Sequence, residues 1–227
     1  MSGPHPCGVL VVARAPVEGK AKTRLIPGLG TAAAADLAAA ALLDTLAAVR
    51  LAHVAARIVA LTGDLSEARR GDEVRSALEG FTVLGQQGSG LAARLVRARR
   101  QAAALASGPV LQIGMDTPQV SSDLLDDGAA LLTRTGGVAV LGPATDGGWW
   151  ALGLPDGLAA PALGEVAMSR ADTGARTRAV LERAGLAVSE LPVLTDVDTP
   201  ADAWAVADAM GADTEFRRAA DRYRRSG

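Results

Sequence analysis

Cysteine occurs once in this chain, as Cys7, which excludes an intrachain disulfide and any zinc site built from cysteines. Histidine occurs twice, at His5 and His53, so a Ser-His-Asp or Cys-His mechanism has almost no material to work with. Aromatic residues make up 3% of the sequence, and much of the 49% hydrophobic content is alanine, which packs helices closely but hides little area per residue. A formal net charge of −2 gives no overall basic field to recruit nucleic acid or an anionic membrane. The first residues carry no basic stretch followed by an apolar run, so no secretory signal is expected. The alanine-rich run 31–49 is interrupted by Asp36 and Asp44 and reads as a soluble helix, and a reducing, cytoplasmic home is the simplest expectation. The 227 residues suit a single domain, expected over 1–212. Residues 213–227, with Arg217, Arg218, Arg222, Arg224 and Arg225, read as a basic terminal helix or tail facing water rather than nucleic acid.

Lysine is nearly absent too, and where it does occur is informative. Lys20 and Lys22 stand two residues apart in Lys20-Ala21-Lys22-Thr23-Arg24, while the other twenty-one cationic side chains are arginines. A compact ammonium on a flexible stem can follow a phosphate whose geometry changes, whereas the guanidinium fork prefers a fixed bidentate partner. This segment is therefore the first candidate for an anion site.

Short apolar runs alternate with longer helical periods. Strands are expected at 8–13, 57–61, 81–84, 110–113, 137–141, 149–154 and 187–191, and helices at 31–50, 65–78, 91–106, 121–133, 172–184 and 200–210. Thr31 reads as an N-cap, Ser121 or Ser122 as another, and Pro200 as a first-turn proline. Strands separated by helices of this length imply an α/β fold, a mostly parallel sheet with helices on both faces. Such sheets bind ligands beyond the carboxyl ends of their strands, which points to the loops after Ala13, Ile113, Leu141 and Leu191.

Those loops hold the unusual residues. After the first strand, Ala13, Arg14 and Ala15 lead into Lys20, Lys22 and Arg24, where backbone amides and cations can surround phosphates. The spacing is not a Walker A loop, because no glycine precedes Gly19 by five residues and Ala21 follows Lys20. Gly28-Leu29-Gly30 lies too far from the strand to be a dinucleotide fingerprint. Gly114-Met115-Asp116-Thr117-Pro118 and Thr195-Asp196-Val197-Asp198-Thr199-Pro200 each end a strand with Asp-Thr-Pro. Magnesium commonly takes one or two protein carboxylates, with water and substrate phosphate completing its shell, so Asp116 and Asp198 are the expected pair, with Asp196 as fallback. In Asp146-Gly147-Gly148-Trp149-Trp150 the glycines allow close backbone approach, Asp146 can accept from hydroxyls, Trp149 is expected to line a pocket and Trp150 to enter the core.

Taken in order, A-P-V-x-G-x-x-K-T-R-L, G-x-D-T-P, G-P-x-x-D-G-G and D-V-D-T-P resemble the DUF2064 family of the GT-A nucleotide-diphospho-sugar transferase superfamily, over residues 9–204. More distantly, the first loop is similar to that of the phospholactate and phosphoenolpyruvate guanylyltransferases of cofactor F420 synthesis. The resemblance implies a GT-A fold and a Mg²⁺- or Mn²⁺-dependent transferase using an activated nucleotide, with Lys22 and Arg24 at phosphates and Asp116 with Asp198 at the metal. One departure stands out: family members usually carry G-D-L-G-x-R where this chain reads Ser89-Gly90-Leu91-Ala92-Ala93-Arg94, so Gly90 replaces the acidic residue and a contact made by it to base or ribose is not expected here.

Two chemistries suit these residues. A nucleotidyltransferase would use Lys20, Lys22 and Arg24 against the β- and γ-phosphates of a nucleoside triphosphate while a phosphorylated or acidic acceptor attacks the α-phosphorus. A glycosyltransferase would hold a nucleotide-sugar diphosphate, with Asp146 as base or sugar ligand and Trp149 against the sugar. A non-catalytic nucleotide-binding protein is the third reading. A nucleotide and a small-molecule acceptor are the expected partners, without nucleic acid or membrane, and the sequence leaves room for a homodimer.

Overall fold

The computed structural model describes residues 3–134, 138–155, 166–168 and 170–226. Seven strands form one sheet in the order β3-β2-β1-β4-β6-β5-β7. They are β1 (His5–Arg14), β2 (Val54–Thr62), β3 (Thr82–Gly85), β4 (Val110–Gly114), β5 (Ala139–Pro143), β6 (Trp149–Leu154) and β7 (Val188–Glu190). Among the described strands only β6 runs against its neighbours, pairing antiparallel with both β4 and β5. The fold is thus the mostly parallel, single-domain α/β sheet that the strand-helix alternation implies. β1 lies between β2 and β4, buried on both faces, which explains its continuous apolar run.

The helices are α1 (Ile26–Leu29), α2 (Thr31–Leu51), α3 (Gly71–Ala77), α4 (Leu91–Ala106), α5 (Ser122–Thr133), α6 (Thr173–Arg183), α7 (Pro200–Ala209) and α8 (Glu215–Ser226); α2, α4, α5 and α6 pack against the sheet, and α8 packs on α2. Several expected boundaries shift. The helix expected at 65–78 is only α3, because residues 65–70 form turns that an isolated bridge between Val17 and Ala68 ties to the first loop. Thr31 is the first residue of α2 rather than its cap, since Gly30 takes that place with φ 83°. Ser121 does cap α5, its hydroxyl accepting from the amide of Leu124. Residues 26–29, read as loop, make a single helical turn. The strand expected from 137 begins at Ala139, and Gly137 lies outside the described residues.

α2 is the one described helix long and apolar enough to cross a bilayer, and most of it is buried inside the fold. Leu42, Leu46 and Val49 pack with Val9 and Val11 of β1. Its opposite side, through Ala34, Leu37 and Ala41, meets Phe216, Ala219 and Ala220 of α8. A helix covered on two sides has no need of a polar face, and small alanines let both neighbours approach closely.

The C-terminal arginines therefore belong to a docked helix. Asp44, projecting from α2, accepts from the first-turn amides of α8, Glu215 N at 3.0 Å and Phe216 N at 2.7 Å. Burial pushes the Asp44 carboxyl up, with the two amide hydrogen bonds opposing that shift. Asp44→Ala should leave those amides without their acceptor and cost about 1–3 kcal/mol. Lower thermal stability with faster hydrogen exchange in 215–226 is the expected outcome; unchanged exchange there would show that Asp44 does not hold the helix.

Candidate functional site

The parallel register brings three loops to one edge of the sheet. Ala13 of β1 stands opposite Leu61 of β2, and Val12 opposite Gly114 of β4. The amide of Arg14 donates to Met115 Sδ at 3.2 Å, fastening the first loop to the Asp116 loop. Val197 N donates to the carbonyl of Asp116 at 2.9 Å, and Gln119 Nε2 to the carbonyl of Thr195 at 2.8 Å. The two Asp-Thr-Pro segments, 82 residues apart by number, are thereby held side by side.

Lys22 sits at their junction. Its Nζ lies 2.7 Å from Asp116 Oδ1 and 3.6 Å from Asp198 Oδ1, and its side chain is only 8% exposed. Lys22 adopts φ 46°, ψ 48°, a left-handed conformation that costs a non-glycine residue about 1 kcal/mol or more. The chain turns there into a 3₁₀ segment, Thr23–Leu25, which carries Arg24 back to Asp198, its Nη1 2.5 Å from Oδ2. Asp116 and Asp198, paired in the sequence reading, share one ammonium in the fold.

A cavity of about 290 Å³ opens beside this junction, lined among others by Ala13, Arg14, Lys20, Lys22, Arg24 and Arg94. Lys20 is exposed and pairs with Glu67 at 3.1 Å, so it forms the outer rim. Ala15 and Gly90 do not reach the lining: Ala15 N donates to Thr62 O, and Gly90 precedes α4 at φ 83° while its neighbours Leu91 and Arg94 face the cavity. Gln86 closes one wall, its amide nitrogen donating to the carbonyls of Ala13 and Ala60.

A second cavity, about 230 Å³, shares Val12, Leu91 and Asp116 with the first and adds Gln112, Asp146, Gly148, Trp149 and Asp196. Asp146 accepts from Gly148 N at 2.7 Å, a tight turn that presents its carboxylate at the rim. Gly147 is away from the lining and has a packing role, because a Cβ there would stand 1.9 Å from the carbonyl oxygen of Ala171. Trp150 is 1% exposed in the core and donates to Pro192 O, while Trp149 faces the cavity. The alternation of side chains along β6 separates the two tryptophans.

Asp116, Asp146, Asp196 and Asp198 all border one open space together with Arg24 and Arg170. Burial, then the charges of Asp116, Asp146 and Asp198, push the Asp196 carboxyl up to about 7, and Lys22 offsets only part of this. Among the described residues no three acidic, histidine or cysteine side chains converge into a metal cluster, so the candidate set is the pair Asp116 and Asp198. Sequence reading missed Arg94, Gln86 and Gln112 as lining residues. Gln112 had a legible signal, being the single polar residue in the buried strand β4.

With this geometry in place, the chain can be set beside known proteins. A family profile described as an uncharacterized protein conserved in bacteria, DUF2064, matches residues 45–170. The chain belongs to the DUF2064 family. No protein of curated function matches it. Among solved structures, this DUF2064 protein is similar to a candidate nucleotide-diphospho-sugar transferase from Desulfovibrio desulfuricans G20, at 25% identity and TM-score 0.83 over 97% of each chain. It also resembles a nucleotidyl transferase from Methanothermobacter thermautotrophicus, at 17% identity and TM-score 0.55 over 97% of this chain and 99% of that one. Rv0371c from Mycobacterium tuberculosis, solved in complex with manganese, is 23% identical with TM-score 0.51, covering 90% of this chain and 98% of its own. The DUF2064 chain thus has the fold of the nucleotide-dependent transferases.

The folded-state pKa of Asp196 lies above the ordinary carboxylate value, so its protonated form stabilises the fold. That contribution is complete below about pH 4 and lost as pH rises through about 7. Asp116→Asn removes the largest neighbouring charge and should lower the Asp196 titration, whereas Lys22→Met should raise it further. Carboxyl ¹³C NMR across pH 4–9 reads both, and an unmoved midpoint in both variants would refute the coupling.

Proposed function

We propose that this DUF2064 protein is a divalent-metal-dependent nucleotidyltransferase that joins a nucleoside monophosphate unit to a small phosphorylated or acidic acceptor and releases pyrophosphate. The observation that carries the reading is the nearly buried ammonium of Lys22 on the carboxylates of Asp116 and Asp198, at the wall of a cavity that also bears Arg14, Arg24 and Arg94. Cations so concentrated in a chain of net charge −2 match the charge of a triphosphate.

Asp116 and Asp198 are the residues that would hold the ion, and the four aspartates that border one open space there suit a cation. Two carboxylates are a usual protein share for magnesium or manganese, and the manganese complex of the similarly folded Rv0371c supports a divalent ion. Bound, such an ion would polarise the phosphoryl oxygens and neutralise charge gathering on the leaving group. The protein's own cations divide the remaining work. Lys22, held in place by its two carboxylates, would neutralise the β- and γ-phosphates together with Arg24, and Arg94 lines the same cavity as a further cation for them. The acceptor oxygen attacks the α-phosphorus, the bond to the bridging β-oxygen breaks, and pyrophosphate carries away the electron pair.

Glycosyl transfer from a nucleotide sugar is the second reading, favoured by the way Asp146, Gly148 and Trp149 line an adjoining cavity large enough for a sugar. The product separates the two: pyrophosphate from a triphosphate, or free nucleoside diphosphate from a sugar donor.

Mg²⁺ with the preferred nucleotide should raise the melting temperature, and Asp116→Ala should remove the metal-dependent part of that rise. Lys22→Ala should lower turnover about 10²-fold or more, as loss of a charge-stabilising group does. Melting unchanged by every nucleoside triphosphate and nucleotide sugar, read by scanning calorimetry, would overturn both readings.

A further inference from the structure

The floor of the second cavity carries hydrogen-bonding capacity that the protein leaves unused. Gln112 is 2% exposed in the middle of β4, lines this cavity, and its carboxamide makes no hydrogen bond among the described residues. Trp149 Nε1, on the neighbouring antiparallel strand, is likewise buried without an acceptor. A void of about 10 Å³, room for one water, lies between these two side chains and Arg99. Buried polar groups are satisfied almost everywhere in native proteins; among the described residues Trp149 Nε1 and, elsewhere, Gln119 Oε1 are not, and an unsatisfied indole N–H beside Gln112 on the cavity floor calls for a ligand.

Arg99 decides the sign of that ligand. Its side chain projects from α4 and is almost wholly buried, donating to the carbonyls of Val110 at 3.0 Å and Leu152 at 2.6 Å. Burial alone lowers its pKa to about 9, with no neighbouring charge contributing, so it remains cationic at neutral pH without a carboxylate partner. The other end of the cavity bears three carboxyl groups, Asp116, Asp146 and Asp196, and one cation, Arg170, which is itself paired with Asp172. The cavity therefore runs from a carboxyl-rich rim, which it shares with the first cavity through Asp116, to a floor rich in donors and positively biased.

We propose that the second cavity is the acceptor subsite and takes a small hydroxycarboxylate, its carboxylate received at the floor by Gln112 and Trp149 Nε1 and its hydroxyl left at the aspartate rim facing the nucleotide. This rests on the reading of the first cavity as the nucleotide site. The apolar walls, from Val12, Leu95 and Ile113, accommodate the carbon skeleton and exclude water from the bonds made at the floor. Gln112 and Trp149 act here as specificity-determining residues. A carboxamide in place of the carboxylate keeps the shape but loses the charge that Arg99 favours and presents N–H groups to donors.

The test follows the indole N–H of Trp149 by ¹⁵N NMR, with the signal assigned by its loss in Trp149→Phe. Lactate, glycerate and 4-hydroxybutyrate are titrated, each against its primary amide, and a nucleoside triphosphate panel with Mg²⁺ is titrated into the same protein. At least one acid should shift the Trp149 signal saturably, at least tenfold more tightly than its amide. Gln112→Leu should weaken that acid at least tenfold, leave the nucleotide Kd unchanged, and melt no lower than the parent, because it replaces an unpartnered buried amide with an apolar group. Acids and amides binding alike, or no acid moving the Trp149 signal while nucleotide binds, would overturn the acceptor assignment and leave the nucleotide reading standing. Acids binding as expected with no nucleotide binding would sink the nucleotide reading instead, and with it the placing of this pocket as an acceptor subsite.

Discussion

One ammonium group holds the site together. Lys22 Nζ contacts Asp116 and Asp198, which come from loops on different strands, and it does so from a left-handed backbone position and with almost no exposure. Removing a charge from water is costly unless partners replace the lost hydration, and here two carboxylates supply that replacement. The same contacts keep the carboxylates close despite their mutual repulsion. Arg24, three residues beyond Ala21 on the same turn, completes the arrangement by binding the far oxygen of Asp198.

This junction divides two unlike cavities. On one side stand Arg14, Lys20, Arg24 and Arg94; on the other, Asp146, Asp196, Trp149 and the buried Gln112. Asp116 borders both. A reaction that brings a polyphosphate to one side and a smaller acceptor to the other needs such a boundary, since each partner is held by its own groups and they meet only at the shared edge. The Asp196 carboxyl is raised first by its burial and then by the negative charges of Asp116, Asp146 and Asp198 around it.

The scaffold behind the site explains features of composition that look unremarkable in the chain. Alanine-rich α2 fits between the sheet and α8 because small side chains allow close approach on both sides. Asp36 and Asp44, which interrupt its apolar run, are both used to dock α8: Asp44 through the first-turn amides, and Asp36 through Arg222 and the Tyr223 hydroxyl. The basic C-terminal residues are thereby committed in part to ion pairs within the fold, such as Arg224 with Asp208 and Arg217 with Asp221.

Local pattern alone determined the α/β class, the strands β1, β4 and β6, helices α4 and α5 almost to the residue, and the loops in which Lys22, Arg24, Asp116, Asp146 and Asp198 would stand. These follow from apolar periodicity and from polar residues at strand ends, both of which are properties of neighbours in the chain. Only the tertiary structure decided that Ala15, Gly90 and Gly147 stay out of the cavities, that Lys20 turns to Glu67, and that Arg94, Gln112 and Arg99 enter the picture. Which side chains share a cavity depends on strand order and register, set by the summed packing of distant segments. The antiparallel insertion of β6 beside β4, which no local signal announces, is what places Trp149 next to Gln112.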